Sequence, residues 1–404
     1  MENAESHECR IRGLLVDIDC IRGNGIPGCC VGPRRKPRMH TKLISILASP
    51  CCRADLHLEG LENHLRADIS EGILTCAACR NEFPIIDGIP RILTGLSETE
   101  KNTLSVIKER GLAIRQEAAS GAETRYQQIE RIIRLKDAPH PEASDYLKRR
   151  FENDLEFRVH GCEMQNKYAQ TLRKYYTEPT RVMIDVGAGQ GGLTKCLNDH
   201  FKPEISIILD YDIEWAEIAR LRNPSVEILR GDATRLPFKD RSIDLVVSQA
   251  MLEHVKDYDK AANELCRVAQ KACFIAWSPN KYSVYDFGHL DAPVTVFSKP
   301  LARQVAKWWH GLRKTGRSYK SIITELDETF YIPTTYVRNV MLRYGSVHNV
   351  FTEFAMNSLM SDYTYRGAKL KKLLASAPFF ARSLFSMLVL FRIEPNCYYI
   401  LRRS

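Results

Sequence analysis

Three groups of residues in this chain have the types and spacing to do chemistry. The first is a glycine-rich turn, Asp185-Val186-Gly187-Ala188-Gly189-Gln190-Gly191-Gly192, followed by acids at Asp210 and Asp232. Glycines let a backbone turn sharply and approach a ligand, and a helix opening after them offers unbonded N–H groups. The second is a pair of histidines, His254 in Met251-Leu252-Glu253-His254-Val255 and His289 in Gly288-His289-Leu290. Either can serve as a general base, and either can equally be a packed or solvated histidine. The third is Cys51-Cys52 with Cys76-Ala77-Ala78-Cys79. Two thiolates separated by two residues at a hairpin tip can bite one tetrahedral ion.

These residues must be positioned by the elements around them. Short apolar runs at Val182–Val186, Ile205–Leu209, Val226–Leu229, Ile243–Val247 and Ala272–Trp277 alternate with amphipathic stretches. That rhythm predicts βα units in a doubly wound parallel sheet, which binds ligands beyond the carboxyl ends of its strands. The turn and both acids fall at such ends.

Taken alone the turn fits two patterns. It satisfies GxGxG at 187, 189 and 191, and the dinucleotide form GxGxxG at 187, 189 and 192, with Asp210 where a ribose-binding acid would sit. Asp185 separates the two. An acid two residues before the first glycine can face the ammonium of an S-adenosylmethionine methionine group, whereas it would repel a pyrophosphate. Asp210-Tyr211 then offers a carboxylate to ribose hydroxyls and a ring to adenine, and Asp232 can accept from the adenine amino group. As caps of the following helices, these acids have a plainer reading too.

The set continues through Leu236-Pro237-Phe238, Asp240-Arg241-Ser242-Ile243-Asp244 and Met251-Leu252-Glu253-His254-Val255. Over roughly 180–280 it resembles the class I S-adenosylmethionine-dependent methyltransferases, particularly the small-molecule branch that includes quinone-biosynthesis enzymes. The resemblance implies a seven-stranded Rossmann-like sheet. It also implies cofactor contacts from Asp185, Gly187, Ala188, Gly189, Gly191, Asp210, Tyr211, Asp232, Ala233 and Gln249. After the fourth strand the chain reads Ser248-Gln249-Ala250, not the Asn/Asp-Pro-Pro-Tyr/Phe string used on planar nitrogens, so adenine and glutamine N-methylation are disfavoured. His254 and His289 are the base candidates for an O- or C-acceptor.

The cysteine segment resembles the small zinc-ribbon family that includes the activator subunits of tRNA and translation-factor methyltransferases. The likeness rests on Leu47-Ala48-Ser49-Pro50-Cys51-Cys52 (Leu-Ala-x-Pro-x-Cys), the later Cys76-Ala77-Ala78-Cys79, and Phe83-Pro84-Ile85-Ile86-Asp87-Gly88-Ile89-Pro90. It implies zinc held by Cys52, Cys76 and Cys79, with Cys51 or an outside ligand completing the site. Ser49 stands where the family has its first cysteine, and serine is a poor zinc ligand. A ribbon without metal, held by its core, is the alternative.

Five segments follow: an unstructured leader over 1–38, with Met39 as an alternative start; the ribbon, 41–94; a helical linker, 95–165; the methyltransferase core, 166–290; and a substrate lobe or helical cap, 291–404, returning to the sheet as a final strand near Cys397–Leu401. Composition bounds the rest. The 404 residues are 44% hydrophobic and 26% charged, which excludes wholesale disorder. Thirteen cysteines, an odd number, argue for a reducing compartment over a disulfide framework. No secretory signal is legible and no apolar run reaches the ~20 residues of a bilayer span, so a cytoplasmic protein is expected. The apolar stretch at 379–391 is read as a core helix, with membrane contact as the alternative.

Residues 281–404 carry 18 Lys and Arg against 8 Asp and Glu, a net of +10. A basic lobe suits an anionic substrate or surface. With Trp308-Trp309-His310 it suits an amphiphilic small molecule, a lipid or a glycan. The main alternative is an RNA methyltransferase using the ribbon for recognition, and the third is a binding scaffold with a vestigial pocket.

Overall fold

The computed structural model describes residues 39–59, 68–110, 125–137, 145–160, 163–286, 289–314, 318–359 and 374–403. The leader expected over 1–38 lies outside them. β1 (Met39–His40) leads into a short 3-10 helix, Thr41–Ile46. Four further short strands and one more follow: β2 (Leu56–Leu58), β3 (Asp68–Ile69), β4 (Gly72–Cys76), β5 (Glu82–Ile86) and β6 (Ile89–Ile92). β2, β4, β5 and β6 form an antiparallel meander, while β1 pairs with β3. Helices α1 (Glu98–Arg110), α2 (Arg125–Asp137), α3 (Asp145–His160) and α4 (Glu163–Tyr175) come next.

The alternating part begins at β7 (Val182–Val186). It continues through α5 (Gly192–Phe201), β8 (Ile205–Asp210), α6 (Ile213–Arg222), β9 (Glu227–Gly231), β10 (Ile243–Gln249), α7 (Tyr258–Val268) and β11 (Ala269–Pro279). These strands are buried on both faces, which is why they read as continuous apolar runs: Ile207, Ile208, Leu245, Val246 and Val247 are all inaccessible. Beyond the sheet lie α8 (Lys299–Leu312), α9 (Tyr319–Glu328) and α10 (Thr334–Leu342). The chain then returns as β12 (Ser346–Asn349), α11 (Phe351–Leu359), α12 (Pro378–Leu390) and β13 (Asn396–Arg402).

The main sheet corrects the seven-stranded expectation. Its order is β12-β13-β11-β10-β7-β8-β9-β6-β5-β4-β2, eleven strands among the described residues. Seven come from residues after 180 and four from the ribbon. The extra four join because β9 would otherwise be an open edge, a row of unpaired backbone groups. β6 covers it in parallel, with Arg91 opposite Arg230 and Ile92 opposite Gly231. The two facing guanidiniums are held by one carboxylate: Glu100 of α1, buried, pairs with Arg230 and lies 3.6 Å from Arg91.

A second contact ties the same two units. Ala48 donates to the Pro237 carbonyl at 3.0 Å, Lys239 donates to the Ile46 carbonyl at 3.0 Å, and Leu47 forms a bridge with Phe238. Met39, Leu43, Leu47 and Phe238 belong to one buried cluster with Leu209, Leu229 and Val246. The ribbon and the parallel sheet thus share a hydrophobic core as well as a sheet.

The lobe between β11 and β12 has its own small core of Leu290, Ala292, Val294, Ala302, Ala306, Ile322 and Leu326. Helix α12 departs from the core helix expected at 379–391. Of its residues only Ala381 is buried, and Phe379 and Leu390 are 85% and 74% exposed. No helix among the described residues is long and apolar enough to cross a membrane.

Candidate functional site

The strand order reverses between β7 and β10: β8 and β9 extend one way, β11 the other. Such a switch point leaves a crevice at the carboxyl ends of the strands. Those ends are Val186, Asp210, Gly231 and Gln249 on four adjacent parallel strands. Asp185, the glycine turn, Asp210-Tyr211, Asp232-Ala233 and Gln249 are therefore brought to one edge.

The turn is shaped by three glycines with left-handed φ, +71° at Gly187, +53° at Gly189 and +69° at Gly191. At Gly187 a Cβ would stand 2.2 Å from Met251 Cγ, and at Gly191 2.5 Å from Asn223 Nδ2, so only glycine fits. At Gly189 a Cβ would meet nothing within 4 Å. That backbone is open to a ligand. Helix α5 starts directly after, its N-cap Gly191 supplying no side-chain cap, so its first N–H groups are available to an acceptor. Ala188, partly buried, packs against the cluster that includes Ile208 and Ala216, and the Ser248 hydroxyl donates to the Val186 carbonyl at 3.0 Å, joining β10 to the start of the turn.

Asp210 clasps the two loops. Its Oδ2 accepts from Gly189 N–H at 2.9 Å and its Oδ1 from Asp212 N–H at 3.0 Å. Burial raises its pKa above the usual range, against the pull of those two donors. Asp185 lies deeper than an open ammonium contact requires. It is 1% exposed, its Oδ2 accepts from Thr194 Oγ1 at 2.6 Å, and burial pushes it up to about 7. Asp232 caps the 3-10 turn Ala233–Arg235, its Oδ1 accepting from the Thr234 N–H and hydroxyl, both at 2.8 Å. Tyr211 is 64% exposed, with the Arg230 guanidinium 5.8 Å from its ring centroid and Arg230 Nε donating to its carbonyl. Gln249 is half-buried at the end of β10, opposite Ala276.

Beside this edge the two histidines meet. His254 sits in the 3-10 turn Leu252–His254 after β10, and His289 in the loop after β11, their ring centroids 5.4 Å apart. Two carboxylates that sequence reasoning missed flank His289. Glu253 Oε1 lies 3.9 Å from its Nε2, and Asp286 Oδ1 lies 3.8 Å from its Nδ1. Glu253 is fully buried, accepts from Ser278 Oγ at 3.0 Å, and is pushed up to about 7 by burial, with the His289 charge opposing. Asp286 behaves oppositely. Burial raises it, but His289 and the N–H groups of His289 and Leu290 outweigh burial and hold it at about 2. Tyr331 also donates to Asp286 Oδ2 at 2.9 Å. Burial, then the His289 charge, hold His254 below the ordinary histidine value. The ligand atoms of Glu253, His254 and His289 lie within 4.8 Å of one another, a donor set that would also accept a divalent cation. The missed acids had a faint signal: each is one or three residues from a chosen histidine, in apolar sequence where a carboxylate needs a reason.

In the ribbon the sulfurs of Cys52, Cys76 and Cys79 lie within 4.8 Å of one another, with Cys52 to Cys76 at 3.4 Å. Cys51 does not join them. It is exposed and its Sγ accepts from Asn81 Nδ2 at 2.9 Å, on the turn between β4 and β5. The fourth position is held by Ser49, buried, its Oγ 3.7 Å from Cys79 Sγ. Burial raises the Cys76 thiol, but the N–H groups of Cys79 and Ala78 outweigh it and bring it down to about 6, the thiolate form a metal requires. The donor set therefore fits zinc with three thiolates and one hydroxyl.

Comparison with known proteins agrees with both halves. A family described as "Methyltransferase domain" matches residues 184–276, and one described as "Trm112p-like protein" matches residues 40–88. A demethylmenaquinone methyltransferase of Renibacterium salmoninarum is 30% identical over 111 residues, 28% of this chain and 43% of that protein. A malonyl-[acyl-carrier protein] O-methyltransferase of Coxiella burnetii is 30% identical over 96 residues, 24% of this chain and 32% of that protein. The chain thus spans less than half the length of these curated relatives. A solved phosphoethanolamine N-methyltransferase of Haemonchus contortus is 15% identical over 76% of this chain and 75% of its own, with a TM-score of 0.37, a likeness too distant to bear on function. The chain joins a Trm112p-like unit, residues 40–88, to a methyltransferase domain, residues 184–276.

Proposed function

We propose that the protein is an S-adenosylmethionine-dependent methyltransferase acting on oxygen or carbon of a small-molecule, lipid or glycan acceptor. The observation that carries this reading is the Asp210 clasp: one carboxylate at a strand end holds an open glycine turn beside an uncapped helix. In this reading the backbone of Gly187–Gly191 takes the methionine end. Asp210 binds the ribose hydroxyls, and Tyr211, Asp232 and Ala233 border the adenine. Asp185 supports the site from beneath through Thr194, and an approaching ammonium would draw its pKa back down. Gln249 closes the edge on the β10 side.

The cofactor supplies a methyl group on a sulfonium. The protein's part is to hold acceptor, methyl and sulfur in line in a site shielded from water, where orientation supplies much of the acceleration. As the acceptor bond to carbon forms and the sulfur–carbon bond breaks, a hydroxyl acceptor must lose its proton. His254, held as the free base near neutral pH, takes it. His289, between Glu253 and the ionised Asp286, orients the acceptor, and its charge helps keep His254 unprotonated and ready to accept. In the ribbon, Cys52, Cys76 and Cys79 with Ser49 would hold zinc as a structural ion.

The reading is supported by the small-molecule acceptors named for the relatives, a demethylmenaquinone and a malonyl-carrier protein. Purified protein incubated with methyl-labelled cofactor and fractionated cell extract tests it. Label is expected in the organic-soluble or glycan pool. Label in RNA alone would replace this acceptor class with the RNA alternative, and no label with no cofactor binding would leave a scaffold.

A further inference from the structure

Glu253 is fully buried, and one of its oxygens, Oε2, takes the Ser278 hydroxyl. The other, Oε1, finds no hydrogen-bond donor among the described residues and lies 3.9 Å from His289 Nε2. A buried carboxylate oxygen in that state destabilises the fold unless another group satisfies it. The ligand atoms of Glu253, His254 and His289 lie within 4.8 Å of one another. Side-chain movements of under about 1 Å bring three such donors to an ion with bonds of about 2.1 Å.

The groups behind these three are those a metal site needs. A ligating histidine turns its second ring nitrogen to a carboxylate or a backbone carbonyl, which fixes the ring. His289 Nδ1 faces Asp286 Oδ1 at 3.8 Å, and the His254 ring bonds to the backbone of Glu328, the last residue of α9. Asp286 is itself fixed by the His289 and Leu290 N–H groups, both at 3.0 Å, and by the Tyr331 hydroxyl at 2.9 Å. The Phe330 N–H donates to the Glu253 carbonyl at 2.7 Å, so the chain leaving α9 braces the turn that carries Glu253 and His254.

Charge agrees. As carboxylates beside two neutral imidazoles, Glu253 and Asp286 carry two negative charges, which one divalent ion cancels. Two imidazoles and one carboxylate favour a borderline transition-metal ion over magnesium or calcium, which take oxygen ligands. Three protein donors leave such an ion open positions, and His254, exposed, marks the side on which they open.

We infer that Glu253, His254 and His289 hold one divalent transition-metal ion, with Asp286 and the Glu328 carbonyl orienting the two imidazoles. The ion clause rests on the cluster alone. A second clause rests on the proposed methyltransferase reading: an acceptor hydroxyl takes an open position, and the ion lowers its proton affinity. The proton passes to water, the oxygen–carbon bond forms, and the sulfur keeps the electron pair of the broken sulfur–carbon bond. The base role of His254 described above belongs to the metal-free chain.

Cobalt tests the site, because its spectrum reports its ligands. Full-length protein stripped with a chelator is titrated with Co2+ and followed by calorimetry and absorbance. One equivalent lacking thiolate-to-cobalt charge-transfer bands is expected, whatever the ribbon takes up, and excess Mg2+ should not displace it. Glu253→Gln, which still accepts from Ser278, and His254→Gln, whose side chain is exposed, should each weaken that equivalent at least about tenfold. Any thiolate bands should persist in both variants. Asp286→Asn should weaken it about 10–100-fold, and an unchanged affinity there would remove the orienting role. Absence of this equivalent in the wild type, or wild-type affinity in both Gln variants, overturns the inference. Cobalt bound without cofactor heat removes only the methyltransferase reading; cofactor heat without this cobalt removes only the ion.

Discussion

The backbone N–H of Gly189 donates to Oδ2 of Asp210 at 2.9 Å, across 21 residues and between two neighbouring strand ends. Gly189 is the one glycine of the turn whose Cα faces open space, so this bond sets the shape of the surface a ligand would meet. Asp210→Ala should free the turn. Hydrogen exchange at the Gly189 amide should accelerate roughly tenfold to a hundredfold, matching a lost charge-assisted bond of about 1.5–3 kcal/mol. Unchanged exchange would show that the glycines hold the turn without it.

Glu253 should make stability fall as pH rises. Its pKa is raised to about 7 in the folded protein, against about 4.3 in an unfolded chain. Between those values the folded state keeps a proton that the unfolded state has lost, so stability declines with pH and then levels off above 7. Glu253→Gln keeps an acceptor for Ser278 and removes the titration. The variant's stability relative to wild type, followed by thermal melting, should therefore be higher at pH 8 than at pH 5, with a difference on the order of 3 kcal/mol at most. A pH-independent offset would contradict the buried, proton-holding carboxyl.

His254 should set the acid limb of the rate. Since burial and the neighbouring His289 hold it below the ordinary histidine pKa, the acid limb of methyl transfer to a hydroxyl acceptor should lie at lower pH than an ordinary histidine would place it. His254→Ala should lower kcat by about 10²–10⁴ and leave cofactor affinity intact. Loss of cofactor binding in that variant would mean the residue is part of the pocket wall instead.

Ser49 should limit zinc. Three thiolates and a hydroxyl make a weaker set than four thiolates, so Ser49→Cys should raise zinc retained against a chelator by at least about tenfold. Cys51→Ser should leave it unchanged, because Cys51 is turned toward Asn81. Equal loss from Cys51→Ser and Cys76→Ser would return Cys51 to the site.

Where one strand determines its own burial, the sequence was readable: the apolar runs at Ile205 and Ile243 are parallel strands because both faces are covered, and a run of apolar residues says so directly. The glycine turn was readable for a similar reason, since each requirement sits within five residues. Contacts between distant segments were not. Nothing local in Arg91-Ile92 or Arg230-Gly231 announces that they pair, yet that pairing turns seven strands into eleven. Glu253 and Asp286 were hidden in the same way, because what makes them notable is burial beside His289, a property of three segments folded together. Helix α12 misled for the opposite reason: its composition is that of a core helix, and only the packing reveals which side is left uncovered.

The central claim is that acids and glycines at neighbouring strand ends bind an adenosyl sulfonium. Titration calorimetry of the purified chain with S-adenosylmethionine and with its demethylated product measures this directly. Saturable heat at one site per chain is predicted for both ligands, weakened at least about tenfold by Asp210→Ala and by Asp232→Ala. No heat from either ligand, or wild-type binding in both variants, would contradict it.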